Sequence, residues 1–595
     1  MMPAIPDSYE EVPRMFRAQI DGRSKLQYAG KTKDGQPRDI DKWVNEWIDK
    51  AEQIPARDAK DEQTPVYSAK SYQISWRFVT NGGQDDGIIR PVLGKAGIPF
   101  YPGSSMKGAF RSACEQAEAL GMVLVGSTDR YCGKETDLCP GILRFLGAYP
   151  TNDWTKGLID LVHPQQEWQV KTMKTDKKPS GETAYSMVSL YQPKLRFAIS
   201  SNQPLLNAEW QTIWTIWERA LSVGLGSKTA TGYGQSVKAT SVKVRKVLYS
   251  AKLKGQGQAP KLLDGSAEFR PNIFRAALRG HALRLFGGLT DCKIAERLVE
   301  DLFGGIQSNK PTVGLLGFQF HPLPPNVEPF PSGQYVVEGN LVWLLNRSLD
   351  DSHHEKTLAK LIKKLMQFAL FLGGFGKSWR RVDHQKFWNV YYQNSRGYKP
   401  LIGCHWEWSD EKSRRLNRSV SSIKSICSFL DSVRSTASEW MELKREWLEQ
   451  QEKLTIQSDR WAKNWRESWH PSKVEVWARL AEGMSDSRAV SWFHKPYQRA
   501  ILKTEQEKSI YKTSLTGLVE SDKSTIGRVI HRMYPKICLI DNPNQPGEKM
   551  AIQTDQFFEI LTIFLDDSNE CREFLDFLKS SSTDPAEFQL VWGRN

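Results

Sequence analysis

"YPGSSMKGAFRSACEQAEAL" (residues 101–120) opens on a proline, a glycine and two serines, then runs into a helical pattern. Met106, Phe110, Ala113, Ala117 and Leu120 recur at helical spacing, which predicts an amphipathic helix with one buried face. Ser104 or Ser105 is the expected cap, and a capped helix start leaves backbone amides that suit an anion. Lys107 and Arg111, one turn apart, add positive charge beside those amides. Alone, the stretch fits an ordinary capped helix with solvated cations as well as a phosphate cradle. A second stretch tilts the reading. "GLGSKTATGYG" (224–234) puts four glycines and Lys228 after the helix predicted from "EWQTIWTIWERALSVGL" (209–225) and before a strand. Glycine at that density lets backbone approach a ligand closely. Neither this loop nor "GGFGKS" (373–378) has P-loop spacing, and both follow helices, which excludes the dinucleotide-binding fingerprint.

With 595 residues the chain is too long for one hydrophobic core, so two or more domains are expected. Its 39% hydrophobic and 25% charged residues are those of a globular protein. No apolar run is long enough to span a membrane and no secretory signal is visible, so a cytoplasmic location is expected. The net charge is +14, and because residues 551–595 carry nine acids and three bases, the rest holds +20. That excess suits a polyanion such as nucleic acid. The eight cysteines form no CxxC pair. Cys132 and Cys139 would supply only two metal ligands, and free thiols are the expectation.

Along the chain, "DIDKWVNEWIDKAEQI" (39–54) predicts a docking helix and "PVYSAKSYQISWRFVT" (65–80) a strand. "GILRFLGAYP" (141–150) reads as a further strand, and "KGQGQAPK" (254–261) as a linker. Beyond it the order restarts: a basic helix in "FRPNIFRAALRGHALRLFG" (269–287), a strand in "LLGFQFHPL" (315–323), a helix over 357–372, and "GGFGKSWRR". This is a duplication of architecture. Tryptophans 440, 447, 461, 465, 469 and 477 mark a helical insertion whose rings are expected mainly in the core. "DQFFEILTIFLDDSNECREFLDFL" (555–578) predicts an acidic helix pair.

"GIPFYPGSSMKGAFR" (97–111), followed about a hundred residues later by "GLGSKTATGYG", resembles the RAMP superfamily of CRISPR-associated proteins. "GILRFLGAYP" and "DLVHP" (160–164) resemble the middle of the subunit that caps the guide RNA's 3′ end in type III effectors. "FRPNIFRAALRG", "LFGGIQSNKPTVGLLGF" (302–318) and "GGFGKSWRR" look like a divergent unit without the PGSS and GYG letters. "IGRVIHRMYP" (526–535) is similar to a stretch of large fused cyanobacterial-type members. The likeness covers about 65–400 and 490–595.

The resemblance implies an α+β chain with two ferredoxin-like (RRM-like) RAMP domains and a helical insertion. The expected divisions are an arm (1–62), a first domain (63–253), the start of a second (262–404), the tryptophan-rich insertion (405–485) and the second domain's remainder (486–595). It also implies a subunit holding guide RNA (crRNA) and target RNA beside other RAMP subunits and the large subunit of a type III effector, with no membrane partner. The implied RNA contacts are Ser104, Ser105, Lys107, Arg111, Gly224, Gly226, Lys228, Thr229 and Tyr233, then Arg275, Arg279, Lys377, Arg380, Arg381, Arg528 and Arg532. Tyr101 and Tyr233 are candidates for base stacking or for packing. Family members that cut RNA carry an aspartate in the loop before the PGSS segment. Here "NGGQDDGIIRPVLGKAG" (81–97) offers Asp85 and Asp86, but Ile89 and Arg90 occupy the positions just ahead of Pro91. A turn is favoured over catalysis, with His281 and His531 as other acid–base candidates. A non-catalytic subunit without cofactor is therefore expected. The rivals are an endoribonuclease, using a divalent ion such as Mg²⁺, and a protein scaffold with incidental RNA contact.

Overall fold

The computed structural model describes residues 39–51, 60–80, 84–85, 88–89, 91–134, 139–162, 169–171, 185–237, 245–259, 262, 266–307, 310–323, 333–349, 351–376, 404–457, 459–498, 507–519, 524–543 and 547–593. The chain divides into two compact units. The first is Met1–His163, Glu182–Lys246 and Leu262–Asp264; the second is Pro164–Gly181, Val247–Lys261 and Gly265–Asn595. Both mix helices with small, mostly antiparallel sheets.

In unit 1, helix α1 (Asp39–Lys50) buries Trp43 and Trp47, and Trp47 Nε1 donates to Gly97 O at 2.7 Å. The chain continues through β1 (Glu62–Thr64), β2 (Tyr67–Gln73), α2 (Gly103–Ala119), α3 (Ser127–Cys132), β3 (Leu143–Pro150), β4 (Ile159–Val162), β5 (Tyr185–Val188), β6 (Lys194–Ser201) and α4 (Asn207–Val223). The main sheet has the order β1-β2-β6-β3. Met106 and Phe110 of α2 are buried with Trp210, Trp214 and Trp217 of α4 and Phe197 of β6. Removing one such buried aromatic costs about 3–5 kcal/mol. After α4 the chain returns beside β2 through an Ile74–Ser236 bridge. A smaller sheet joins Gln84–Asp85, Ile88–Ile89, β5 and β4 in that order.

Unit 2 contains β7 (Val247–Gln258), α5 (Asn272–Gly287), α6 (Cys292–Phe303), β8 (Leu316–Pro322), β9 (Gln334–Leu345), α7 (Ser352–Phe371), β10 (Cys404–Trp408), α8 (Ile423–Leu443), β11 (Val474–Ala481), β12 (Val529–Asp541), β13 (Lys549–Phe564), α9 (Asn569–Ser581) and β14 (Gln589–Trp592). One sheet runs β8-β9-β7-β10, the next β12-β13-β11-β14. A single core links them: Phe274, Trp406, Phe371 and Trp440 share it with Val474, Val476, Tyr534 and Phe558. The far face of the second of these sheets is covered by α9, through Phe574 and Leu578 against Leu561 and Ile563.

Among the described residues three of the four-stranded sheets share one strand order. In each, the second strand lies outermost, then the third, then the first; β10 and β14 complete the order in unit 2, while in unit 1 β1 lies beside β2 and the Ile74–Ser236 bridge sits just past the end of β2. Each second strand is entered through the same device. A glycine of positive φ (Gly133, Gly304, Gly517) begins a short hairpin, and a second glycine (Gly141, Gly314, Gly527) closes it. The residue after the closing glycine donates back across the hairpin's base: Ile142 to Arg130 O at 2.9 Å, Leu315 to Asp301 O at 2.8 Å and Arg528 to Leu515 O at 2.7 Å. The chain leaving the third strand then donates to that same residue: Asn202 to Ile142 O, Asn346 to Leu315 O and Phe564 to Arg528 O.

Three expectations are corrected. Residues 254–258 are not linker but the end of β7, where Gly255 lets the Trp406 ring lie against the backbone; a Cβ there would sit 2.3 Å from it. Residues 405–485 are helical chiefly in α8 and Arg445–Gln450, and they also contribute β10 and β11. Residues 555–564 belong to β13, so only the second half of the expected helix pair, α9, is helical.

Candidate nucleic-acid interface

The PGSS segment and the glycine-rich loop meet at one residue. The Phe78 ring lies 5.6 Å from that of Tyr101, and a Cβ on Gly226 would fall 3.1 Å from its edge. Tyr101 exchanges two 2.9 Å backbone bonds with Ala148, which fastens the start of α2 to β3. Helix and strand touch so closely that a Cβ on Gly103 would lie 2.0 Å from Phe145 O. That contact is the local reason for the glycine.

The cap differs from expectation. Pro102, with extended backbone, holds the N-cap position, and no side chain caps the helix. Ser104 and Ser105 are exposed in the first turn. Among the described residues nothing accepts from the amides of Gly103, Ser104 and Ser105. Lys107 is exposed beside them, whereas Arg111 turns away and donates to Gly133 O at 2.6 Å, at the end of α3. A helix start with unmet amides and an adjacent cation attracts anions.

The glycine-rich loop is held on the segment 77–79. Ser227 donates to Val79 O at 2.9 Å and Gly234 to Arg77 O at 2.7 Å. A Cβ would meet Val79 O at 2.3 Å from Gly226 and Leu225 O at 1.9 Å from Gly234. Lys228 takes a left-handed backbone (φ 60), and Thr229 packs its methyl against Gly224. Tyr233 is a correction: it is buried, its hydroxyl donates to Asp160 Oδ2 at 2.6 Å and its ring packs on Trp76. It holds the loop and offers no face to a base. Tyr101 is likewise buried. Asp160 and Arg77, whose guanidinium donates to Gly157 O and Ser189 Oγ, were missed; only the alternating pattern of 65–80 hinted at Arg77.

In unit 2 the four described cations of the expected RNA-binding set, Arg275, Arg279, Arg528 and Arg532, make contacts within the unit. Arg275 donates to Phe303 O and Arg279 to Gly304 O, closing the end of α6 as Arg111 closes α3. Burial, followed by the neighbouring Arg279, draws the Arg275 guanidinium down to about 10. Arg528 is buried and pairs with Asp566 at 3.1 Å; Arg532 is buried and donates to Trp406 O at 2.7 Å. His281 and His531 are buried too, the latter 3.0 Å from Glu559. Asp86, Lys377, Arg380 and Arg381 lie outside the described residues, and Asp85 is described only as backbone in a short strand. Among the described residues no cluster of three or more His, Cys, Asp or Glu is placed to ligate a metal. Burial pushes the Cys132 thiol up to about 12, while Cys139 is exposed. No described helix is long and apolar enough to cross a membrane.

No family model matches the chain, and no curated protein does. Similar solved structures include the Type III-B Cmr-beta bound to cognate target RNA, seen by cryo-EM. The identity is 19%, with a TM-score of 0.21, over 29% of this chain and 58% of that one. Cmr6 from Pyrococcus furiosus is 16% identical with a TM-score of 0.18, over 30% of this chain and 99% of that one. The chain thus spans a little over half of the Cmr-beta chain, and at such TM-scores neither likeness decides the fold or the ligand.

Proposed function

We propose that this chain is an RNA-holding subunit of a type III CRISPR ribonucleoprotein effector. It grips the sugar–phosphate backbone of the guide RNA toward its 3′ end, in the cytoplasm, beside other RAMP subunits, the large subunit and target RNA. On this reading each of the three sheets is the core of a ferredoxin-like (RRM-like) domain, because their strand order is that of the split βαβ motif. One observation carries the proposal: Tyr101, just ahead of the unmet amides of α2's first turn, and Gly226 of the Lys228 loop both lie against a single aromatic, Phe78. Two such edges hold a phosphate chain without reading its sequence, since amides and cations meet phosphates and not base edges. Among the described residues the grip falls in unit 1, since Arg275, Arg279, Arg528 and Arg532 serve contacts within unit 2.

The test is binding of a labelled single-stranded RNA of about twelve nucleotides to the full chain across a salt series. Lys107→Ala and Lys228→Ala are each expected to weaken binding about three- to tenfold, and to lower the slope of log K on log salt by about 0.7 per lost contact. Binding without salt dependence, or a double variant that binds like the wild type, rules the grip out.

A further inference from the structure

The tryptophans of residues 440–477 have no part in the unit 1 grip, and the structure sorts them. Trp440, Trp465, Trp469 and Trp477 are buried core. Trp447 is half-buried, with Lys444 and Arg297 over its ring. Trp461 differs from all of these. It is half-buried on a segment fastened to α5 by the bond from Ala462 N to Gly287 O at 2.7 Å. Its ring lies flat on His470, with centroids 4.1 Å apart and planes 3° from parallel. Among the described residues no other ring and no cation lies over Trp461.

The imidazole beneath is held in place. Ser472 N donates to His470 Nδ1 at 3.2 Å, so that nitrogen carries no proton. Burial, then the charges of Arg434 and Lys463, keep the imidazole down to about 4, so it is neutral at pH 7. A neutral ring stacks on indole without the solvation demand of an imidazolium. Arg460 and Lys463, one before and one after the stacked pair's tryptophan, are both exposed. A flat aromatic face among cations matches the chemistry of single-stranded nucleic acid, where bases stack and phosphates need counter-charge.

We propose that Trp461, braced by His470, is a stacking platform for an unpaired nucleobase of single-stranded RNA, with Arg460 and Lys463 taking the flanking phosphates. The proposal rests on the reading of the chain as an RNA holder and adds a second contact in unit 2. Stacking releases no counterion, whereas a lysine–phosphate contact does, so salt separates the two roles.

The experiment uses the full chain with labelled oligoadenylate and oligouridylate. Trp461→Ala is expected to lose about tenfold in affinity for oligoadenylate and less for oligouridylate, with the salt slope unchanged. Trp461→Phe should recover most of that loss, and Lys463→Ala should flatten the slope instead. If Trp461→Ala binds oligoadenylate like the wild type while Lys107→Ala binds weakly, the platform is wrong and the unit 1 grip survives. If the wild-type chain binds neither oligonucleotide, both readings fall. Should Trp461→Ala not fold, photocrosslinking of 4-thiouridine RNA to the wild-type chain decides. Adducts at 460–463 support the platform, and adducts confined to unit 1 overturn it.

Discussion

Gly234 and Gly108 show how differently two glycines of the same motif pair behave. Gly234 has φ +66 and faces Leu225 O, so Gly234→Ala is expected to cost about 2–3 kcal/mol, read as a lowered urea midpoint. Gly108 sits inside α2, where a Cβ meets nothing within 4 Å. Gly108→Ala should therefore raise stability by about 0.5–1 kcal/mol in the same measurement. At this scale the sequence showed which residues matter but often not why. The serines of the PGSS segment read as caps, yet Pro102 takes the cap and Gly103 makes the close contact with β3. Arg111, Arg275 and Arg279 read as phosphate ligands from their charge alone. Their partners are carbonyls at the ends of α3 and α6, tens of residues along the chain, which helical spacing does not reveal.

Among the elements, β13 explains the clearest misreading. Phe557, Phe558, Ile560, Leu561, Ile563 and Phe564 are all buried, because this strand has apolar layers on both faces. A strand buried on both sides loses its alternation, and its apolar positions then also fit a helix. The helices that keep a solvent-exposed face, α2, α4 and α7, fall where periodicity put them. At the centre of β13, Glu559 accepts from Arg479 Nε at 2.6 Å, Ser487 Oγ at 2.5 Å and the amides of Arg488 and Ala489, with His531 at 3.0 Å. Burial alone would raise its carboxyl, but the His531 bond and charge, Arg479 and Ser487 outweigh that and hold it below the usual 4.5. A depressed carboxylate stabilises the fold above its unfolded value, and that contribution is lost as pH falls below 4.5 through the folded value. Glu559→Gln should cost about 3 kcal/mol at pH 7, and the gap to wild type should close as urea midpoints are followed toward pH 3.

For the molecule as a whole, three sheets do not mean three folding units. The two sheets of unit 2 share one continuous core, and Arg532 of β12 donates into β10. Calorimetry of the full chain is expected to show two transitions, one per compact unit; three would mean that the shared core does not couple those sheets. Two architectural repeats were legible from letters because the first two of these sheets are accompanied by basic helices and glycine-rich loops. The third was hidden: its first strand lay inside the tryptophan-rich stretch, and its helix α9 is followed by no glycine-rich loop. The net charge of +14 likewise overstates what a polyanion meets, since Arg528 and Arg532 are buried and Arg275 and Arg279 are engaged with carbonyls of their own unit. The glycine-closed hairpins carry a consequence for divergence. Main-chain contacts at their bases set where each sheet resumes, so whatever is spliced between Gly133 and Gly141, or between either counterpart pair, leaves the register downstream untouched. Each repeat thus owns an interchangeable tip, free to acquire its own length and chemistry while the scaffold beneath stays common.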